Sequence, residues 1–264
     1  PTFSGVPGAP VCTGQCADPP CGSLATPCHK IQEPLNLANC AIGPNAALEA
    51  DVIVAAGTYP ERIFVYPNTH LIGAGRDVTT IDAKGLNRSA VILSSQTYYG
   101  FNRPGLKSSI TGMRIIHGSG DRIDLVDSAG SHYFHIGGGG LLLFGEIGAP
   151  GWPRVTDCRI EDNTLGNFTG QPAPDWMGAG IYVAVGQPII SGNIIQRNTT
   201  TPPDQGGQVD ALGWGAGIFS LNFDCEPLIT DNNIRNNVTV AQSGIGGGMC
   251  LSGSDGMVVS NNLI

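Results

Sequence analysis

Ile190-Ser-Gly-Asn-Ile-Ile195 decides the fold, because the same six-residue phrase returns along the chain. It reads Ile110-Thr-Gly-Met-Arg-Ile115, Val155-Thr-Asp-Cys-Arg-Ile160, Ile229-Thr-Asp-Asn-Asn-Ile234 and Val259-Ser-Asn-Asn-Leu-Ile264 in the other copies. A β-branched residue opens each copy, Ser or Thr follows, a turn-former stands third, and Ile closes it. The copies start 45, 35, 39 and 30 residues apart. A constant phrase at unequal spacing means a fixed, buried bend with surface loops of varying length between copies. Two short strands joined by a bend put the first and last residues of the phrase inward. Ile115, Ile160, Ile195, Ile234 and Ile264 are therefore expected to form one interior column. Asn193, Asn232 and Asn262 fall in register and predict a ladder of side-chain amides. Met113 and Cys158 occupy the same slot in earlier copies, which makes Cys158 a buried thiol.

A second element keeps step with the first. Gly140-Leu-Leu-Leu, Gly180-Ile-Tyr-Val, Gly217-Ile-Phe-Ser and Gly248-Met-Cys-Leu each precede a copy of the phrase. Each coil thus holds at least two short strands, and stacked coils align equivalent strands at about 4.8 Å. Nearer the start, Asp51-Val-Ile-Val-Ala-Ala, Glu61-Arg-Ile-Phe-Val, Thr69-His-Leu-Ile, Thr80-Ile-Asp and Ala90-Val-Ile-Leu read as further strands punctuated by Gly and Pro turns. Thr26-Pro27 is a fair start for a helix with Ile31, Leu35 and Ala38 on one face, interrupted at Pro34. Such a helix would cap the first coil, whose end is otherwise an open sheet edge. The expected fold is all-β, a right-handed parallel β-helix solenoid with a short N-terminal capping helix and long surface loops. Residues 1–27 form a Cys/Pro/Gly-rich extension, and residues 28–264 form a coil stack left incomplete at its C-terminal end.

Composition agrees. Charged residues are 13% of the 264, against about 25% in an ordinary soluble domain. The 39 Gly and 19 Pro favour many tight turns over long helices. A formal charge of −8 repels phosphate backbones and argues against nucleic acid as a partner. No run of about 20 apolar residues is present to span a membrane. Five of the eight cysteines crowd into Cys12, Cys16, Cys21, Cys28 and Cys40, without a zinc-ligand pattern. Together with Cys225 and Cys250 they are disulfide candidates in an oxidising compartment. A start at Pro1 fits a processed, secreted chain.

The run Cys28-His-Lys-Ile31-Gln32, then Val52-Ile-Val-Ala-Ala-Gly57-Thr58-Tyr59-Pro-Glu61, Leu71-Ile-Gly73-Ala-Gly75 and Thr80-Ile81 resembles the opening of pectin-lyase-like β-helix proteins. The Asn-containing copies resemble the repeats of that superfamily, and the likeness covers most of the chain from Cys28 onward. It implies the fold rather than an activity, since the superfamily holds lyases, hydrolases, esterases and non-catalytic surface proteins. Pectate-lyase relatives imply Ca²⁺-binding acidic residues beside an Arg or Lys base. Pectin-methylesterase relatives imply paired Asp residues with an Arg and a Gln-Asp dipeptide, which is absent here. Polygalacturonase relatives imply Asn-Thr-Asp, Asp-Asp and Gly-His-Gly, also absent.

The densest polar stretch runs from His117 through Asp121, Arg122, Asp124 and Asp127 to His132, Tyr133 and His135. Asp121, Asp124 and Asp127 are candidate Ca²⁺ ligands; the bland alternative is Asp side chains capping their own turns. Trp152, Trp176 and Trp214 lie in Gly/Pro-rich loops and are candidate sugar-stacking residues. Trp176 and Trp214 are expected on one side of the stack, a coil apart, although buried Trp commonly anchors a loop instead. Sequons stand at Asn87, Asn167, Asn198 and Asn237.

Three function classes follow. The first is an extracellular or cell-surface scaffold or recognition module, with polysaccharide or other surface proteins as partners. The second is a subunit of a larger assembly, joined through the open coil at Ile264. The third is a lyase or hydrolase acting on acidic polysaccharide. Missing catalytic motifs favour the non-catalytic readings.

Overall fold

The computed structural model describes residues 28–42, 47–95, 106–126, 132–145, 152–165, 175–201, 212–220, 226–240, 243–252 and 256–264. One coil traces the plan. Strand Arg154–Thr156 lies in a seven-stranded first sheet, and Arg159–Glu161 in a six-stranded second. Thr164–Leu165 joins a three-stranded third sheet, Asp175–Met177 a five-stranded fourth and Ile181–Val185 a six-stranded fifth. Ile189–Ser191 then returns to the first sheet beside Arg154–Thr156. Neighbouring coils pair in parallel; among the named strands only Asp121–Val126 with His132–Gly137 is antiparallel. The architecture is a parallel β-helix.

The first, second and fifth sheets enclose the main core. Ile110, Val155, Ile190 and Ile229 stack in the first sheet. Ile115, Ile160, Ile195 and Ile234 stack in the second, each at most 1% exposed. Each such side chain withdrawn from water contributes about 1.5–3 kcal/mol. Ile264 departs from the expectation, since it is 70% exposed. Its neighbour Leu263 bridges Asn233, which puts Ile264 in register with Ile234.

The bends explain the third letter of the phrase. Gly112, Asp157, Gly192, Asp231 and Asn261 all have left-handed backbone, with φ between 49° and 70°. Gly, Asp and Asn tolerate that region best, which is why they recur there. The next residue points inward, and from Asn193 onward its amide spans coils. Asn193 Nδ2 donates to Oδ1 of Asn232, and Asn232 Nδ2 to Oδ1 of Asn262, both at 2.9 Å. The backbone N–H of Cys158 caps this column on Asn193 Oδ1. Cys158 carries a free thiol in full burial, which pushes its pKa up to about 12.

A second amide column, not anticipated, follows the second sheet. Asn163 donates to Asn198 and Asn198 to Asn237, each at 2.9 Å. The signal was present: Asn stands three residues after Ile160, Ile195 and Ile234. Gly180 packs so closely here that a Cβ would sit 2.9 Å from Asn198 Nδ2 and 2.5 Å from the Gly217 carbonyl.

The helix Gln32–Ile42 covers the first coil, with Ile31 and Leu35 in the core. It starts later than the sequence suggests, and Pro34 falls in the first turn, where no helical N–H is required. The Glu61 carboxylate accepts from the N–H groups of Ile31 and Gln32. The Gln32 side chain bonds both the N–H and the C=O of Phe64, on an edge strand of the fifth sheet. The helix therefore satisfies an edge as well as covering apolar side chains.

Candidate functional site

The outer face of the first sheet gathers one compact group from separate coils. His70, Ser109 and Arg154 are consecutive cross-strand neighbours, so their side chains line up on one face. His70 Nδ1 lies 2.8 Å from Ser109 Oγ, and His70 Nε2 lies 2.9 Å from Glu49 Oε2. Lys107 Nζ pairs with the other Glu49 oxygen at 2.7 Å. Hydrogen bonds from Lys107 and then His70 hold the Glu49 carboxyl below its usual range, so it is ionised at neutral pH.

Trp152 closes the group. It precedes strand Arg154–Thr156 and bridges to Gln187 of the next coil. Its half-buried ring lies 5.8 Å from the His70 ring, with the Arg154 guanidinium 4.2 Å and Lys107 Nζ 5.9 Å from its centre. An aromatic ring with two cations over it suits a ligand combining an apolar ring face with negative charge. The adjacent outward column is hydroxylic: Thr111, Thr156, Ser191, Thr230 and Ser260 follow one another across five coils.

The other two tryptophans do not join Trp152. Trp176 pairs with Gly213, and Met177 pairs with Trp214, so the rings are out of phase by one residue and face opposite ways. Trp176 is 1% exposed among Ile136, Leu165 and Ala179. Trp214 packs against the second core, where Ile123 and Met177 of the fourth sheet cover Leu142, Tyr182 and Phe219 of the fifth. Both anchor the fourth sheet, which corrects the expectation of a shared sugar-stacking row.

Asp121 is corrected as a Ca²⁺ candidate. It is 5% exposed, bonded to Arg62 and Arg88 at 3.0 Å each, and accepts the Ser89 N–H. Two guanidinium groups already neutralise it. Asp127, and the side chain of Asp124, lie outside the described residues. Among the described residues no group of three His, Cys, Asp or Glu side chains is placed to hold a metal.

The sequons divide. Asn87 is exposed, and Asn167 lies outside the described residues. Asn198 is buried and Asn237 half-buried as rungs of the second amide column. Each donates Nδ2 inward, Asn198 to the Ile160 carbonyl and Asn237 to that of Ile195. A glycan on either Nδ2 requires the rung to break. Cys28 and Cys40 are disulfide-bonded. Cys250, expected to form a bridge, instead keeps a free thiol beside Phe219 against the second core. Cys12, Cys16, Cys21 and Cys225 lie outside the described residues.

A charged strip on the outside of the second sheet also escaped the sequence reading. Glu161, its side chain 1% exposed, takes bonds from Arg114, Gln196 and Arg197. Arg197 also grips Asp162 with two bonds of 2.8 Å. Burial alone raises the Glu161 pKa, but its bonds to Gln196 and Arg114 and the charges of Arg114 and Arg197 outweigh that and lower it. An ionised, fully bonded carboxylate makes a structural knot rather than a general acid.

No family model matches the sequence, and no curated protein does. Among solved structures, a pectin methylesterase from carrot is similar at 12% sequence identity and a TM-score of 0.36. The likeness covers 83% of this chain but 60% of the esterase chain. No activity is carried over from a likeness of that grade. The fold rests on the strand pairing itself: five sheets, parallel between coils, three of which enclose the main core.

Proposed function

We propose that the chain is an extracellular recognition module that binds acidic polysaccharide along the outer face of its seven-stranded sheet. One observation carries this reading: the Trp152 ring has the Arg154 guanidinium 4.2 Å and Lys107 Nζ 5.9 Å from its centre and lies beside His70, at the edge of the hydroxyl column. The ring supplies a platform for the apolar face of a sugar, the cations meet its carboxylate, and the hydroxyls bond its ring substituents. Strands that repeat at about 4.8 Å give an extended glycan several equivalent contacts along the stack.

Titration with polygalacturonate and alginate oligosaccharides, followed by tryptophan fluorescence and calorimetry, tests it. Trp152→Ala or Arg154→Ala should weaken binding by roughly tenfold or more, a loss of about 1.4 kcal/mol. Trp214→Ala, on another sheet, should leave it unchanged. Equal binding by all three variants would remove the reading.

A further inference from the structure

The same face carries an arrangement that goes beyond binding. We infer that Glu49, His70 and Ser109 form a nucleophilic relay that hydrolyses carboxylic esters.

The relay has two contacts such chemistry needs, nucleophile to base and base to orienting carboxylate, and Arg154 stands directly across from the nucleophile on the next strand. Glu49 is an acceptor only, so the proton between it and His70 belongs to His70 Nε2. With the proton on Nε2, Nδ1 is the acceptor for the Ser109 O–H, 2.8 Å away. The second ring nitrogen is thus set as a base by the bond made at the first. The imidazole is held on both sides, with its side chain 14% exposed and the Trp152 ring against it. Lys107 fixes Glu49 from the far side. His117 offers a contrast: Asp82 holds its Nδ1 at 2.8 Å, but no hydroxyl among the described residues is bonded to its other nitrogen.

The steps balance without a cofactor. Ser109 Oγ attacks the ester carbonyl carbon while its proton passes to His70 Nδ1. The oxyanion forms next to Arg154, the cross-strand neighbour of Ser109. The C–O bond to the alcohol breaks, and the alcohol leaves with the proton from His70. Water, deprotonated by His70, then attacks the acyl carbon; the bond to Ser109 Oγ breaks, Oγ takes the proton back from His70, and the acid is released. Ser109 and His70 are the catalytic residues, and Glu49 is a positioning residue. The alcohol portion lies toward Trp152. That this portion is a sugar rests on the recognition reading; ester cleavage itself does not.

The test uses p-nitrophenyl acetate as substrate and a fluorophosphonate as active-site label. The unaltered protein should hydrolyse the ester above buffer and take one label, located at Ser109 by peptide mass spectrometry. Ser109→Ala and His70→Ala should lose roughly 100-fold or more of the turnover. Glu49→Gln should lower kcat at nearly constant KM and shift the pH profile, which a merely structural bond would not do. Circular dichroism and melting establish that each variant is folded. A folded wild-type protein that neither labels at Ser109 nor hydrolyses the ester overturns the inference, as does turnover surviving Ser109→Ala. Oligosaccharide binding is titrated separately, so a protein that labels at Ser109 but binds no glycan defeats the recognition reading alone.

Discussion

Asn198 donates its side-chain amide to Asn237 across one coil at 2.9 Å, and both residues also head Asn-x-Thr sequons. The bond and a glycan compete for the same nitrogen. Secretion from a glycosylating host should therefore yield folded protein with Asn198 unmodified, and Asn87 is the accessible acceptor among the described residues. Glycopeptide mass spectrometry of the soluble fraction checks this; a fully occupied Asn198 in cooperatively folded protein would refute it.

The amide columns should matter for stability in proportion to burial. Asn193→Ala leaves the Cys158 N–H and the Val155 carbonyl without their side-chain partners. Two buried groups left unsatisfied should cost roughly 2–5 kcal/mol in urea unfolding. Asn262→Ala, at the exposed end, should cost under about 1 kcal/mol.

The interior column gives a paired comparison. Ile195→Ala removes a fully buried side chain and should cost roughly 2–5 kcal/mol, whereas Ile264→Ala, 70% exposed, should be nearly silent. Equal melting temperatures for the two variants would contradict the stacking.

His135 should make the fold acid-sensitive. Burial lowers its pKa from an ordinary 6.5 to about 4, so the unfolded chain takes up a proton before the native one does. Its contribution is complete above pH 6.5 and is lost as pH falls toward 4, by about 3 kcal/mol in all. Asp175, paired with His135 in register, works the other way: burial raises its pKa, so acid favours its native, neutral form. Melting temperature measured from pH 7 to pH 4 should fall in the unaltered protein and fall less in His135→Leu.

The charged strip should be structural. Arg114→Ala leaves the enclosed Glu161 carboxylate with one donor fewer and should cost about 1–3 kcal/mol. Oligosaccharide binding should not change, as calorimetry with the folded variant would show.

Stacking was legible in the sequence because register is written locally. The inward Ile, the left-handed third residue and the Asn after it repeat within six positions, and each is forced by one coil alone. The Trp pair shows how thin that margin is. Trp176 and Trp214 precede aligned glycines by four and three residues, and that single step turned one ring to the opposite face. Of the group around His70, only Trp152 stood out in the sequence. Glu49, His70, Ser109 and Trp152 are separated by 21, 39 and 43 residues, and only the unequal loops decide which coil positions become neighbours. Asp121 misled for a related reason: its partners Arg62 and Arg88 belong to earlier coils.

Backbone bonds between coils and both amide columns run along the stack, whereas covalent connections run around it. The molecule is therefore mechanically anisotropic. Tension applied evenly along the axis is shared by several sheets at once and resisted in parallel. Tension applied to one strand of a terminal coil meets only that coil's bonds, so the coil peels before its neighbour is loaded. Asn232, bonded both to the coil before and to the coil after, is where such peeling should first pause.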